Sequence, residues 1–97
     1  MTKLVAVDLG AQSGRVALGT LDGDRLSVAE IHRFPNIPVQ TGSTLYWDPL
    51  RLFDEIQIGL AAAGAESDEV ASVGVDSWGV DYALLDGDGR LIDVRRP

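Results

Sequence analysis

Three apolar runs fall within the first 34 residues, and the connections between them are too short to cross a sheet. This constrains the fold more than any other feature of the chain. Leu4–Leu9, Arg15–Leu21 and Arg25–Phe34 have the apolar, β-branched content of strands, and only residues 10–14 and 22–24 separate them. A parallel pair needs a crossover of about a dozen residues or more, so strands joined this closely run antiparallel, as a meander. The continuous apolar character of Leu4–Leu9 predicts a strand buried on both faces, and the alternation in Arg25–Phe34 predicts one half-buried. Asp22-Gly23-Asp24 has tight-turn chemistry.

Residues 35–47, PNIPVQTGSTLYW, carry two prolines, a glycine and small polar residues, which predicts a loop with a short extended piece near Leu45–Trp47. A helix follows. Asp48 is placed to cap it and Pro49 suits the first helical position. Leu52, Phe53, Ile56, Leu60 and Ala63 recur at helical spacing, and Gly64 stands where a terminating glycine is expected. Val70–Val75 reads as another buried strand. After the polar-aromatic junction DSWGVD, Tyr82–Leu85 and Arg90–Val94 flank the turn Asp86-Gly87-Asp88-Gly89. The predicted order is β-β-β-α-β plus a β-hairpin, an α/β class. LDGDRL and LDGDGRL look alike because both are turns, and no repeat runs through the chain.

Bulk properties exclude several functions. Eight Lys and Arg against fifteen Asp and Glu give a net charge of −7, which argues against a nucleic-acid or anionic-membrane surface. The basic residues are scattered apart from Arg95-Arg96, so no basic stripe exists. Without cysteine there is no disulfide framework and no thiolate metal site. The apolar run near the N-terminus is too short for a signal sequence or a membrane span, so a soluble, cytoplasmic protein is expected. A chain that stops at RLIDVRRP, directly after a strand-like stretch, reads as a piece of something longer.

Two stretches have the composition of sites. In DLGAQSGR, successive backbone N–H groups of a glycine-bearing turn can form a concave anion nest, and Gln12 and Ser13 add side-chain donors. Asp8 cannot hold a phosphate directly, because like charges repel. It makes sense beside one if Mg²⁺ lies between them, bound through water. GxxxxGK[ST] is absent, as is GxGxxG, and a polar hairpin loop with a capping aspartate would have the same composition. DSWGVD places a tryptophan and a glycine at a strand's C-terminal end, where open sheets receive ligands. Trp78 suits stacking on a sugar's apolar face as well as it suits a core. Asp8 and Asp76 each close an apolar run, which invites a shared metal if those strand ends are neighbours. His32 sits in an alternating strand and reads as a surface residue.

AVDLGAQSGRVAL, EIHRF, TLYWD before a helix and SVGVDSWGVDYALLDGDGRL, in that order, resemble the N-terminal part of the rhamnulokinase branch of the FGGY carbohydrate kinases. The resemblance spans essentially the whole chain. It implies a ribonuclease-H-like fold of the sugar kinase and actin-like ATPase group, of which residues 1–97 are an incomplete first domain. It also implies transfer of the γ-phosphoryl of ATP to the 1-hydroxyl of L-rhamnulose. By the family pattern Gly10, Ala11, Gln12, Ser13, Gly14 and Arg15 line the ATP phosphates, and Asp8 holds Mg²⁺ through water. By the same pattern Gly79 matches a sugar-contacting position, with Ser77 and Trp78 beside it. The family's general base is an aspartate beyond residue 97, so no catalytic residue is assigned here and the chain alone is expected to be inactive. An apolar face left open would favour self-association. A related ketose or signalling sugar remains an alternative substrate, and a non-catalytic β-α module an alternative for the chain by itself.

Overall fold

The computed structural model describes residues 1–94, so Arg95-Arg96 and the chain end lie outside the described residues. Strands β1 (Thr2–Leu9), β2 (Ser13–Asp22) and β3 (Arg25–Pro35) form the predicted meander. A small hairpin, β4 (Val39–Thr41) and β5 (Thr44–Tyr46), precedes helix α1 (Pro49–Glu66). Strand β6 (Val70–Asp76) and a second hairpin, β7 (Ala83–Leu85) and β8 (Leu91–Val94), follow. The main sheet has the order β3-β2-β1-β6. The stretch between β3 and β6 contains α1 and is long enough for β6 to return parallel to β1, while β2 lies antiparallel on the other side.

One face of this sheet meets the helix. Val5 and Val7 of β1, Val16 and Leu18 of β2, and Ala63 of α1 form the buried cluster, with Leu9, Ile31, Ile56, Leu60 and Val70 packed around it. The helix comes close because Gly59 faces Val16: a Cβ on Gly59 would run into the valine side chain. A glycine inside a helix costs about 1 kcal/mol relative to alanine, and here the close approach offsets that cost. Asp48 caps the helix, its Oδ1 accepting from the Arg51 backbone N–H at 3.1 Å.

Four sequence expectations are corrected. Gly64 does not end the helix; the helix runs to Glu66, and the N–H of the extended residue Ser67 donates to the Ala63 carbonyl at 3.1 Å. Phe53 keeps helical spacing yet is 62% exposed, because the sheet lies beneath Leu52, Gly59 and Ala63. Residues 39–46 form a hairpin rather than one extended piece, with Gly42 at φ +62° in its turn. His32 is half-buried against the helix, its Nε2 3.4 Å from Glu55 Oε2 and its ring 5.6 Å from that of Phe34.

The expectation of strands buried on both faces also fails. In β1, Val5 and Val7 are buried while Ala6 between them is exposed. Strand β6 is open along nearly its whole length. Val73 and Val75 pair with Val5 and Val7 and so share their face, but they are 51% and 64% exposed because α1 packs over β1, β2 and β3 instead. The apolar run is real, but among the described residues only one sheet face is covered, and only over part of its width. This is the open apolar face that the sequence leads one to expect.

Gly59→Ala separates packing from propensity. It should lower unfolding stability by about 1–3 kcal/mol in urea denaturation, the cost of overpacking against Val16, although alanine is the better helix former. A gain in stability would show that the helix can move away from the sheet.

Candidate functional site

The topology places charged residues in a row across the end of the sheet. Asp8 pairs in register with Arg15 of β2 on one side and with Asp76 of β6 on the other, and Arg15 pairs with Arg33 of β3. In-register residues of adjacent strands share a face, and adjacent strands lie about 4.8 Å apart. Asp8 and Asp76 are therefore neighbours at the C-terminal ends of two parallel strands, the adjacency that the sequence left open. The Arg15 guanidinium lies between loop and acid. Its Nη1 donates to Asp8 Oδ2 at 2.7 Å and its Nη2 to Ser13 Oγ at 3.2 Å. Both side chains remain partly accessible, Arg15 at 31% and Asp8 at 44%. Arg33 turns away to Glu30 and holds that exposed carboxyl below its ordinary range through a side-chain hydrogen bond.

The loop between β1 and β2 is drawn tight. The Gly10 N–H donates to the Ser13 carbonyl at 2.9 Å, and a Cβ on Gly10 would come within 2.8 Å of that oxygen. Gly14 is buried against the Phe34 ring, which leaves no room for a side chain. Packing alone thus accounts for both glycines. The distinctive feature is at the loop tip, where the exposed Ala11 and Gln12 donate their backbone N–H groups to no acceptor among the described residues.

Asn36 braces this loop from behind, and sequence reasoning gave it no role. It is 5% exposed; its Nδ2 donates to the Gly10 carbonyl at 2.9 Å and its backbone N–H to the Gln12 carbonyl at 2.9 Å. The only sequence signal was an amide residue between two prolines, which turn chemistry explains equally well.

Beyond β6 the chain turns sharply. Val80 adopts φ +69°, a left-handed conformation that a β-branched residue holds at a cost of about 1–3 kcal/mol. The turn brings Asp81 back beneath Trp78, whose Nε1 donates to Asp81 Oδ2 at 2.8 Å. The Trp47 Nε1 donates to the same oxygen at 2.6 Å, and the two indole rings lie 4.4 Å apart at 37°. Ser77 and Gly79 are exposed beside this cluster, and nothing lies within 4 Å of where a Gly79 Cβ would stand. Trp47 and Asp81 are the residues that sequence reasoning missed here. Trp47 lay in a segment read as loop, 34 residues from its partner acid.

The residues fit a hydrated cation and a polyphosphate. Among the described residues no three His, Cys, Asp or Glu converge, so a cation would meet only the Asp8–Asp76 pair. Mg²⁺ usually keeps several waters and takes one or two carboxylates plus substrate phosphates. Among the described residues no helix is long and apolar enough to cross a membrane.

No protein-family model matches the chain. It is 45% identical over 87 residues to a rhamnulokinase of Bacteroides thetaiotaomicron, covering 90% of this chain and 18% of that protein. It is 47% identical over 93 residues to a rhamnulokinase of Pectobacterium carotovorum, covering 94% and 19%. The chain thus spans about a fifth of the length of the curated relatives it matches. Among solved structures it resembles xylulose kinases of Lactobacillus acidophilus and Rhodospirillum rubrum. The TM-scores are 0.73 and 0.70 at 17% and 21% identity, over 97% and 95% of this chain and 19% and 20% of theirs. The fold expected from the sequence, that of the sugar kinases, is the observed one.

Asn36→Ala should cost about 1–2 kcal/mol and speed amide exchange at Gly10–Ser13, since it removes a part-buried hydrogen bond to the loop. Unchanged exchange there would mean that the strands alone hold the loop.

Proposed function

We propose that this chain, homologous to rhamnulokinases over nine-tenths of its length, is the N-terminal part of a sugar kinase that transfers the γ-phosphoryl of ATP to the 1-hydroxyl of L-rhamnulose. The observation that carries the reading is the meeting, at one sheet end, of two exposed loop residues whose amides have no acceptor among the described residues, an arginine and a pair of neighbouring carboxylates. Rhamnulose is favoured over a related ketose because the sequence relatives are named rhamnulokinases. The xylulose kinases, at 17% and 21% identity, support the fold alone.

In this reading ATP supplies the phosphoryl group, and Mg²⁺ neutralises charge on its oxygens. The chain's own residues position. The Ala11 and Gln12 amides donate to phosphate oxygens at the tip of a loop that Asn36 and the Gly10–Ser13 hydrogen bond keep from moving. Asp8 would hold Mg²⁺ through water. Arg15 orients Asp8, offsets the repulsion between Asp8 and Asp76, and adds positive charge at the loop. Gly79, with Ser77 and Trp78, meets the sugar. A hydroxyl nucleophile also wants a base, and the family resemblance puts that aspartate beyond residue 97. The 97 residues are accordingly an incomplete site within an incomplete domain. By itself the chain should bind ATP·Mg²⁺ weakly and self-associate through the open face of β6. A cytoplasmic setting belongs to the same reading.

Two substitutions in the complete protein test this. Asp8→Ala should lower kcat by about 100-fold or more, since metal organisation is worth several kcal/mol of barrier. It should cost less than about 1 kcal/mol of stability, because the Arg15 pair is partly exposed. Normal turnover would make Asp8 a purely structural partner of Arg15. Gly79→Ala should leave the melting temperature in place, because a Cβ there meets nothing in this chain, yet raise the sugar KM by about tenfold. An unchanged KM would remove Gly79 from the sugar site.

A further inference from the structure

We infer that Asp81 is a positioning residue that locks Trp47 to Trp78 in one rigid aromatic wall, and that Trp47 thereby belongs to the sugar-binding surface. The inference rests on the sugar-kinase reading above and adds two residues to it.

Two indole N–H groups converge on a single carboxylate oxygen, Asp81 Oδ2, at 2.6 and 2.8 Å. Charge-assisted bonds of this length are the stronger kind, and two donors on one oxygen fix both ring planes relative to the acid. The rings then lie 4.4 Å apart at 37°, in contact with each other. The two tryptophans come from segments 31 residues apart in sequence. Trp47 directly precedes the Asp48 cap of α1, and Trp78 follows the end of β6. Asp81 therefore ties the start of the helix to the strand end that bears Asp76.

The cost of the arrangement points to a role beyond packing. Val80 is held at φ +69° although it is 88% exposed and gains no burial there. Its turn is what returns Asp81 to Trp78 after three residues. Strain that persists without packing to repay it locally is a feature of ligand sites. The recess behind the wall, about 140 Å³, is lined by Trp47, Leu52, Trp78, Asp81 and Tyr82. Asp81 Oδ1 is enclosed and accepts no hydrogen bond among the described residues. An apolar ring face beside an open glycine backbone matches a sugar, which shows C–H groups on one face and hydroxyls at its rim, while the enclosed Asp81 acts only through the two indoles. The exposed Gly79 backbone between Trp78 and Val80 gives a ring close access.

The test uses the complete protein labelled with ¹⁵N-tryptophan, the two indole resonances being assigned from Trp47→Phe and Trp78→Phe. Asp81→Ala should move both indole N–H signals together and speed their exchange with solvent. The sugar KM should rise by about tenfold, the loss of one ordered contact surface, with the ATP KM unchanged and kcat within about threefold. Asp81→Asn keeps the shape and one acceptor oxygen and should fall between; it also serves if the alanine variant fails to fold. Trp47→Phe should raise the sugar KM similarly, and adding Asp81→Ala to it should cause little further loss. If either indole stays in place in Asp81→Ala, the lock is refuted. If both move while the sugar KM holds, the wall is structural and the sugar binds elsewhere. A wild-type protein that phosphorylates no sugar would overturn the kinase reading and the sugar half of this inference, and the indole shifts would still decide the lock.

Discussion

The parallel pairing of β1 with β6 is the contact on which the site depends. It sets Asp76 beside Asp8 in register, and the antiparallel β2 sets Arg15 on Asp8's other side. None of these residues is near Asp76 in sequence. Their meeting follows from a meander of three short-linked strands, then a crossover through a single helix. The helix can seat only because Gly59 admits Val16, so a steric detail on one face of the sheet determines whether the charged row on the other face is held in place.

Across the sheet end the charge runs from two arginines, Arg33 and Arg15, to two carboxylates, Asp8 and Asp76. Two adjacent carboxylates repel in the absence of a cation, and Arg15 relieves part of that repulsion at 2.7 Å. The same guanidinium reaches Ser13, linking the acid pair to the loop that exposes Ala11 and Gln12. Asn36 holds that loop from the buried side. The loop is held by backbone and buried amide contacts, while Arg15 and Asp8 stay partly accessible. The aromatic cluster has the same division: Asp81 fixes the tryptophans, and Gly79 stays open beside them.

Much of the fold was legible because it is local. Turn glycines, the Asp48 cap and the helical spacing of Leu52, Ile56 and Ala63 are short-range signals, and those elements appear where they were expected. Burial was not legible. The apolar run of β6 looks the same in sequence whether or not its faces are covered, and Phe53 matches the helical stripe while standing mostly exposed. The charged loop was readable as a motif, but its glycines proved to answer to Ser13 and Phe34 as much as to any ligand. Asn36, Trp47 and Asp81 escaped because each acts through a partner 24 or more residues away or through a backbone turn that no residue type announces. Val80 is the clearest case: a valine in a left-handed conformation leaves no trace in sequence.

The account's central claim is that the tip of the β1–β2 loop receives the phosphate end of a nucleotide while the Asp8–Asp76 edge faces its hydrated cation. A crystal structure of the complete protein with Mg²⁺ and a non-hydrolysable ATP analogue tests this most directly. The account predicts phosphate oxygens within hydrogen-bond distance of the Ala11 and Gln12 amides, with a metal-bound water on Asp8. Nucleotide density seated away from this loop, with Asp8 still paired only to Arg15, would contradict it.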